Sequence, residues 1–283
     1  MTLPRTTILA IALALGVHLE RGLGFKVYIF ADMEGCTGIE HASQIHGERA
    51  AEGVAAMEGD INACVAACFE AGATAVVVRD GHGKGSNVAP ERIDARAELY
   101  QGPSGTNRYP RLDGAEAIIL LGYHAKSLTR GGVLAHSYSS QAIQRMFVNG
   151  REVGEIGVDA AIAGEHGVPV VLVVGDDKAC AEAREWIPGV ATCPTKVGTS
   201  WQSAQLLPPE DARRRLREAT IEALRRRREI PLVRLTYPVT LRRERLPAGS
   251  RRTYDLEFVL VEHPQIEERT GDRLEELLLK PWR

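Results

Sequence analysis

The sequence predicts an α/β fold: a mostly parallel central sheet with flanking helices, a metal site at the strand carboxyl ends, and a smaller C-terminal α+β part. Short apolar, β-rich runs alternate with stretches of helical period, the order that builds a parallel sheet. Each of the first three runs stops at a cluster of Gly, Asp, Glu or His residues, the punctuation expected at a strand end. The 283 residues can bury a substantial core, and 44% hydrophobic with 25% charged residues is ordinary for a globular chain.

Taken in order, Phe25-Lys26-Val27-Tyr28-Ile29-Phe30-Ala31 reads as the first strand and stops at Asp32-Met33-Glu34-Gly35. Residues 47–69 read as a helix with Met57, Ile61, Cys64, Val65 and Cys68 on one face, capped by Gly72. Thr74-Ala75-Val76-Val77-Val78 is the second strand and leads into Arg79-Asp80-Gly81-His82. Ala117-Ile118-Ile119-Leu120-Leu121 is the third and runs into Gly122-Tyr123-His124. Asn149-Gly150 between two apolar segments marks a hairpin. Residues 155–166 form a small-residue helix, 168–174 a fourth buried strand, and 178–186 a further helix for which Asp176-Asp177 supply the cap. A long arginine-rich helix begins at Pro208-Pro209, and its basic runs fit a solvated face. Residues 253–261 read as a last strand and 274–279 as a short helix. The domain organisation expected is an extension over 1–25, a metal-binding α/β catalytic domain over 26–200, and a C-terminal helix and strand region over 201–283.

Net charge is −2 and aromatics are 5%, which argues against a nucleic-acid partner. The five cysteines form no CxxC pair and predict no disulfide framework; Cys64 and Cys68 belong to the core. The uncharged run after Arg5 is shorter than the ~18 apolar residues of a membrane span, so no stable membrane insertion is expected. It has the charge and apolar run of a signal peptide without a good cleavage region. The expectation is a cytoplasmic protein, with export as the alternative if residues 1–25 act as a signal.

The chemistry gathers at the strand ends. Asp32 and Glu34 follow the first strand, His82 the second and His124 the third, at the edge where open α/β sheets bind ligands. Asp32 and Glu34 are two apart, so in extended chain both leave on one side, and their repulsion calls for a cation. Imidazoles mixed with carboxylates suit Zn²⁺ better than the all-oxygen shells of Mg²⁺ or Ca²⁺. His18, His41, His46, His166 and His263 show no such pattern. Two rival readings exist. Asp32-Met33-Glu34-Gly35 and Val174-Gly175-Asp176-Asp177 loosely resemble the nucleophile and Mg²⁺ loops of haloacid-dehalogenase-type phosphohydrolases, though Glu34 stands where that loop carries Asp and the histidines gain no role. A non-catalytic metal-binding protein is the other.

Five short blocks occur together in a fixed order: Phe30-Ala31-Asp32-Met33-Glu34-Gly35, Asp80-Gly81-His82-Gly83-Lys84, Gly122-Tyr123-His124-Ala125, Ala135-His136-Ser137 and Val153-Gly154-Glu155-Ile156-Gly157. In this the chain resembles the zinc-dependent D-aminopeptidases associated with dipeptide-transport operons, over residues 26 to 241. The resemblance implies two Zn²⁺ per subunit, with Asp32 bridging, Glu34 and His82 completing one site, and His124 and Glu155 serving the other. It implies His136 as the catalytic histidine. The implied substrates are short peptides with N-terminal D-amino acids, such as D-Ala-D-Ala, and the implied assembly is a homo-oligomer, a ring-shaped decamer. Residues 1–25 and the sequence after Leu241 depart from the family pattern.

Overall fold

The computed structural model describes residues 24–247 and 262–282. The first half of the chain forms β1 (Phe25–Ala31), α1 (Ser43–His46), α2 (Ala50–Glu70), β2 (Ala73–Asp80), β3 (Ala97–Tyr100), β4 (Ala115–Tyr123), β5 (Ile143–Val148) and β6 (Arg151–Glu152). The second half forms α3 (Glu155–Glu165), β7 (Val170–Asp176), α4 (Asp177–Trp186), β8 (Ala191–Ser200), β9 (Ser203–Leu206), α5 (Pro209–Arg225), β10 (Val239–Arg245), β11 (Gln265–Gly271) and α6 (Leu274–Leu279).

Among the described residues a seven-stranded sheet runs in the order β3-β2-β1-β4-β7-β8-β9. It is parallel throughout except for the antiparallel edge strand β9. The central strands are continuous apolar runs because both faces are covered. All seven residues of β7 are buried, with α4 and α5 both packed on it. Helix α2 packs on β1, β2 and β4 and against α5, while α3 and α4 pack together. From β1 the chain steps outward to β2 and β3, then returns to place β4 on the other side of β1. This reversal opens a crevice beyond the carboxyl ends of β1 and β4, the place where ligands bind in open sheets.

A second sheet, antiparallel, has the order β11-β10-β5-β6. The β5–β6 hairpin turns at Asn149-Gly150 with φ of 50° and 78°, the positive pair that a type I′ turn requires. The small sheet therefore draws strands from both sides of residue 200, and α5 belongs to the first sheet's packing. Strands β10 and β11 are joined by charge as well as by backbone, Arg243 pairing with Glu267 directly opposite. The strand expected over 253–261 and the segment 1–23 lie outside the described residues. The five cysteines are free and buried.

Candidate metal centre

The residues after β1 cross the end of β4 at very short range. Asp32 N donates to Leu121 O at 2.8 Å and Gly35 N to Gly122 O at 2.7 Å. A Cβ on Gly35 would fall 2.1 Å from Tyr123 O, and one on Gly122 would fall 2.2 Å from Asp32 O, so only glycine fits either position. Lys196, fully buried on β8, reaches under this crossing and donates from Nζ to Glu34 O at 2.7 Å and Cys36 O at 2.8 Å. The loop after β2 is held by Asp80, whose carboxylate accepts from Asn87 N, Asn87 Nδ2, Val88 N and Gln101 Nε2, while Asn87 also donates to His82 O. His136 rides on a segment locked to Trp201: Leu134 N donates to Trp201 O at 2.8 Å, and Trp201 Nε1 to Ala135 O at 3.0 Å. Glu155 opens α3 and accepts from Tyr138 N at 2.7 Å.

These supports bring two groups together: Asp32, Glu34 and His82, and His124, His136 and Glu155, with candidate ligand atoms in each group within 4.8 Å of one another. His82 Nδ1 lies 3.0 Å from Asp32 Oδ1 and 3.2 Å from Glu34 Oε2. His124 Nε2 lies 3.5 Å from Asp32 Oδ2 and 3.4 Å from Glu155 Oε1. Asp32 thus presents one oxygen to each group. His124 Nδ1 lies 3.0 Å from Ala125 O, which puts a proton on that nitrogen and turns Nε2 to the carboxylates. The ring of His136 stacks on that of His124, centroids 3.9 Å apart. Its Nδ1 faces Leu134 O at 2.9 Å, so its Nε2 is the free acceptor, 3.8 Å from Glu155 Oε1.

The electrostatics ask for a cation. Burial and the neighbouring Glu34 charge push Asp32 up to about 6. Burial would raise Glu34 as well, but His82 wins and holds it well below the carboxylate range. Burial by itself would lower His82, yet Glu34 and Asp32 drive it up to about 11. In the same way Glu155, followed by Glu34 and Asp32, outweighs burial and raises His124 to about 10. Glu155 is held at about 2, because His124, His136 and the Tyr138 N–H overcome its burial. His136 differs: burial, then the His124 charge, lowers it and favours the neutral ring. Three buried carboxylates set directly against imidazoles fit a divalent cation with N and O ligands. Asp176 and Asp177 are spent elsewhere, Asp176 capping α4 through Ala179 N and accepting from Val133 N, Asp177 accepting from Gly198 N.

The sequence pattern of the D-aminopeptidase family, peptidase M55, matches residues 25–247. The chain belongs to this family. A D-aminopeptidase of Bacillus subtilis (strain 168) is 35% identical over 221 residues, spanning 76% of this chain and 79% of its own. The solved structure of the Zn-dependent D-aminopeptidase DppA from Bacillus subtilis, a self-compartmentalizing protease, matches with a TM-score of 0.78 at 28% identity, covering 89% of this chain and 93% of that one. As a D-aminopeptidase family member the chain is a hydrolase of the metallo-aminopeptidase kind, which sets aside the phosphohydrolase reading.

Several residues that shape this family member's site carry no signal in the sequence. Lys196 sits in β8, where Pro194 and Gly198 interrupt any strand pattern. Trp201 reads as the first residue of the C-terminal region, although its indole and carbonyl hold the His136 segment. Arg108 lies in a turn-rich stretch without periodicity, yet it lines the cavity beside Asp32, Glu34, His82, His136 and Glu155. No helix among the described residues is long and apolar enough to cross a membrane.

Proposed function

We propose that the chain is a dinuclear zinc aminopeptidase that releases the N-terminal residue of short peptides containing D-amino acids, D-Ala-D-Ala among them. The observation that carries this is the pair of ligand groups with Asp32 between them, one oxygen toward each. Asp32, Glu34 and His82 would hold one ion, and Asp32, His124 and Glu155 the other. When bound, the ions supply Lewis acidity toward a water molecule and toward the scissile carbonyl. His136, neutral and with Nε2 free, accepts a proton during attack and returns one to the leaving amine. The Leu134 carbonyl fixes its tautomer, and the Trp201 contacts fix the segment that carries it. The supporting relative is described as Zn-dependent and self-compartmentalizing, which favours zinc here and a homo-oligomer, with ten subunits as the number the family resemblance implies.

The test is hydrolysis by the zinc-loaded protein of D-Ala-D-Ala and L-Ala-L-Ala, followed by ninhydrin or chromatography, with a chelated control. Cleavage of the D-dipeptide that disappears on chelation and returns with zinc is the expected result. Tight zinc binding with neither dipeptide cleaved would leave a metal-binding protein and overturn the proposal.

A further inference from the structure

We infer that Arg108 is the anion-binding residue of the metal cavity and takes the free carboxylate at the C-terminal end of a dipeptide substrate. This rests on the peptidase reading above and deepens it. The cavity holds about 400 Å³ and has the candidate metal ligands and His136 on its wall. Among its described lining residues, Arg108 is the only lysine or arginine. Bound ions would take up the charge of Asp32, Glu34 and Glu155, so Arg108 is the fixed cation left on this wall for a substrate carboxylate lying beyond the metals.

Arg108 is built to be that cation. It is 9% exposed, and its guanidinium is held by Asp159 through Nε at 2.8 Å and Nη2 at 2.9 Å. The faces of Phe30 and Tyr138 lie 4.4 Å and 5.7 Å from its central carbon. The ion pair uses one edge of the guanidinium and leaves Nη1 over, while Asp159 shares its charge with the Tyr123 hydroxyl at 2.6 Å. A group fixed in this way binds without the entropy cost of ordering a long side chain. Tyr138, in the same wall, has a buried hydroxyl with no hydrogen-bond partner, a second donor for the same anion.

Asp159 follows Glu155 by four residues on α3, one turn along the same face and ~6 Å of rise, so one helix positions both the metal group and the guanidinium. In a dipeptide the carboxylate lies one residue, ~3.5 Å of chain, beyond the scissile carbonyl.

The experiment compares D-Ala-D-Ala with D-Ala-D-Ala amide, which lacks the negative charge, on the zinc-loaded protein. The expected result is a kcat/KM at least ~10-fold lower for the amide, the loss of one charged hydrogen-bonded contact. Calorimetric titration of both ligands into zinc-loaded His136→Ala protein gives the same comparison without turnover. Arg108→Lys keeps a charge for Asp159 but loses the planar fork, and should bring the two substrates to within about twofold at unchanged zinc content. Equal cleavage and equal binding of dipeptide and amide by the parent protein would overturn the assignment while leaving the peptidase reading intact. A folded Arg108→Lys variant that still discriminates would also overturn it.

Discussion

Asp32 Oδ2 lies 3.5 Å from Nε2 of His124, although the two residues leave the ends of different strands, β1 and β4. Those strands flank the point where the sheet order reverses, and the other oxygen of Asp32 faces His82 at 3.0 Å. A carboxylate so placed can serve both of the proposed metal positions. Asp32→Asn preserves the shape but removes the shared charge. It should drop bound zinc from two per chain to one or fewer and turnover by at least ~100-fold, since loss of even an outer partner of a metal ligand costs 10–100-fold. Zinc analysis beside the rate of D-Ala-D-Ala hydrolysis checks this; two ions retained would remove Asp32 from the bridging role.

His136 stacks on a metal-group histidine, yet its own Nε2 is left free by the Leu134 contact. His136→Ala should keep near-normal zinc content and melting temperature and lose at least ~100-fold in kcat, the lower range for a lost general acid or base. His82→Ala should lose metal as well as activity. Loss of zinc from His136→Ala would instead make this residue a ligand.

Lys196 holds the backbone that carries Glu34. Lys196→Met removes this donor from both carbonyls, leaving Cys36 O only its contact with Ile39 N, and should weaken zinc binding by ~10–100-fold, measured by competition with a chromogenic chelator. Unchanged affinity would mean that the glycine crossing at Gly35 and Gly122 is sufficient by itself.

Glu182, which is not itself one of the proposed ligands, gives a pH prediction. Burial raises it to about 7. Its carboxylate accepts from Lys126 N at 2.7 Å through Oε2, while Oε1 is buried without a partner. The folded state therefore holds this proton above the pH at which the unfolded chain releases it. The resulting stability is present below about 4.5 and is lost as pH rises toward 7. Glu182→Gln mimics the protonated form and should raise Tm at pH 8 by at least ~2 °C, the shift that about 1 kcal/mol gives in a chain of this size, with little change at pH 4.5. An equal Tm difference at both pH values would show that ionisation is not the cause.

Much of the site's placement was legible because the sheet is buried on both faces. Continuous apolar runs such as Val27 to Ala31 and Ile118 to Leu121 stand out, and Asp32, His82 and His124 fall within two residues of the ends of β1, β2 and β4. The Asn149-Gly150 turn was equally plain, since few residue pairs accept positive φ twice. The edges were not. Strands β3 and β9 have four residues each and largely exposed patterns, and β11 is polar apart from Ile266 and pairs by charge with residues such as Arg243. Arg108 and Lys196 were hidden for a different reason. Their roles depend on Asp159, Glu34 and Cys36, contacts of 51 to 162 residues in sequence that no local spacing encodes.

The most direct measurement is a zinc titration of metal-free protein, following D-Ala-D-Ala hydrolysis as zinc is added. Two ions sharing Asp32 predict activity that climbs to a plateau at about two equivalents per chain, with zinc analysis giving the same number. Full activity at one equivalent, with no further rise, would contradict a dinuclear centre.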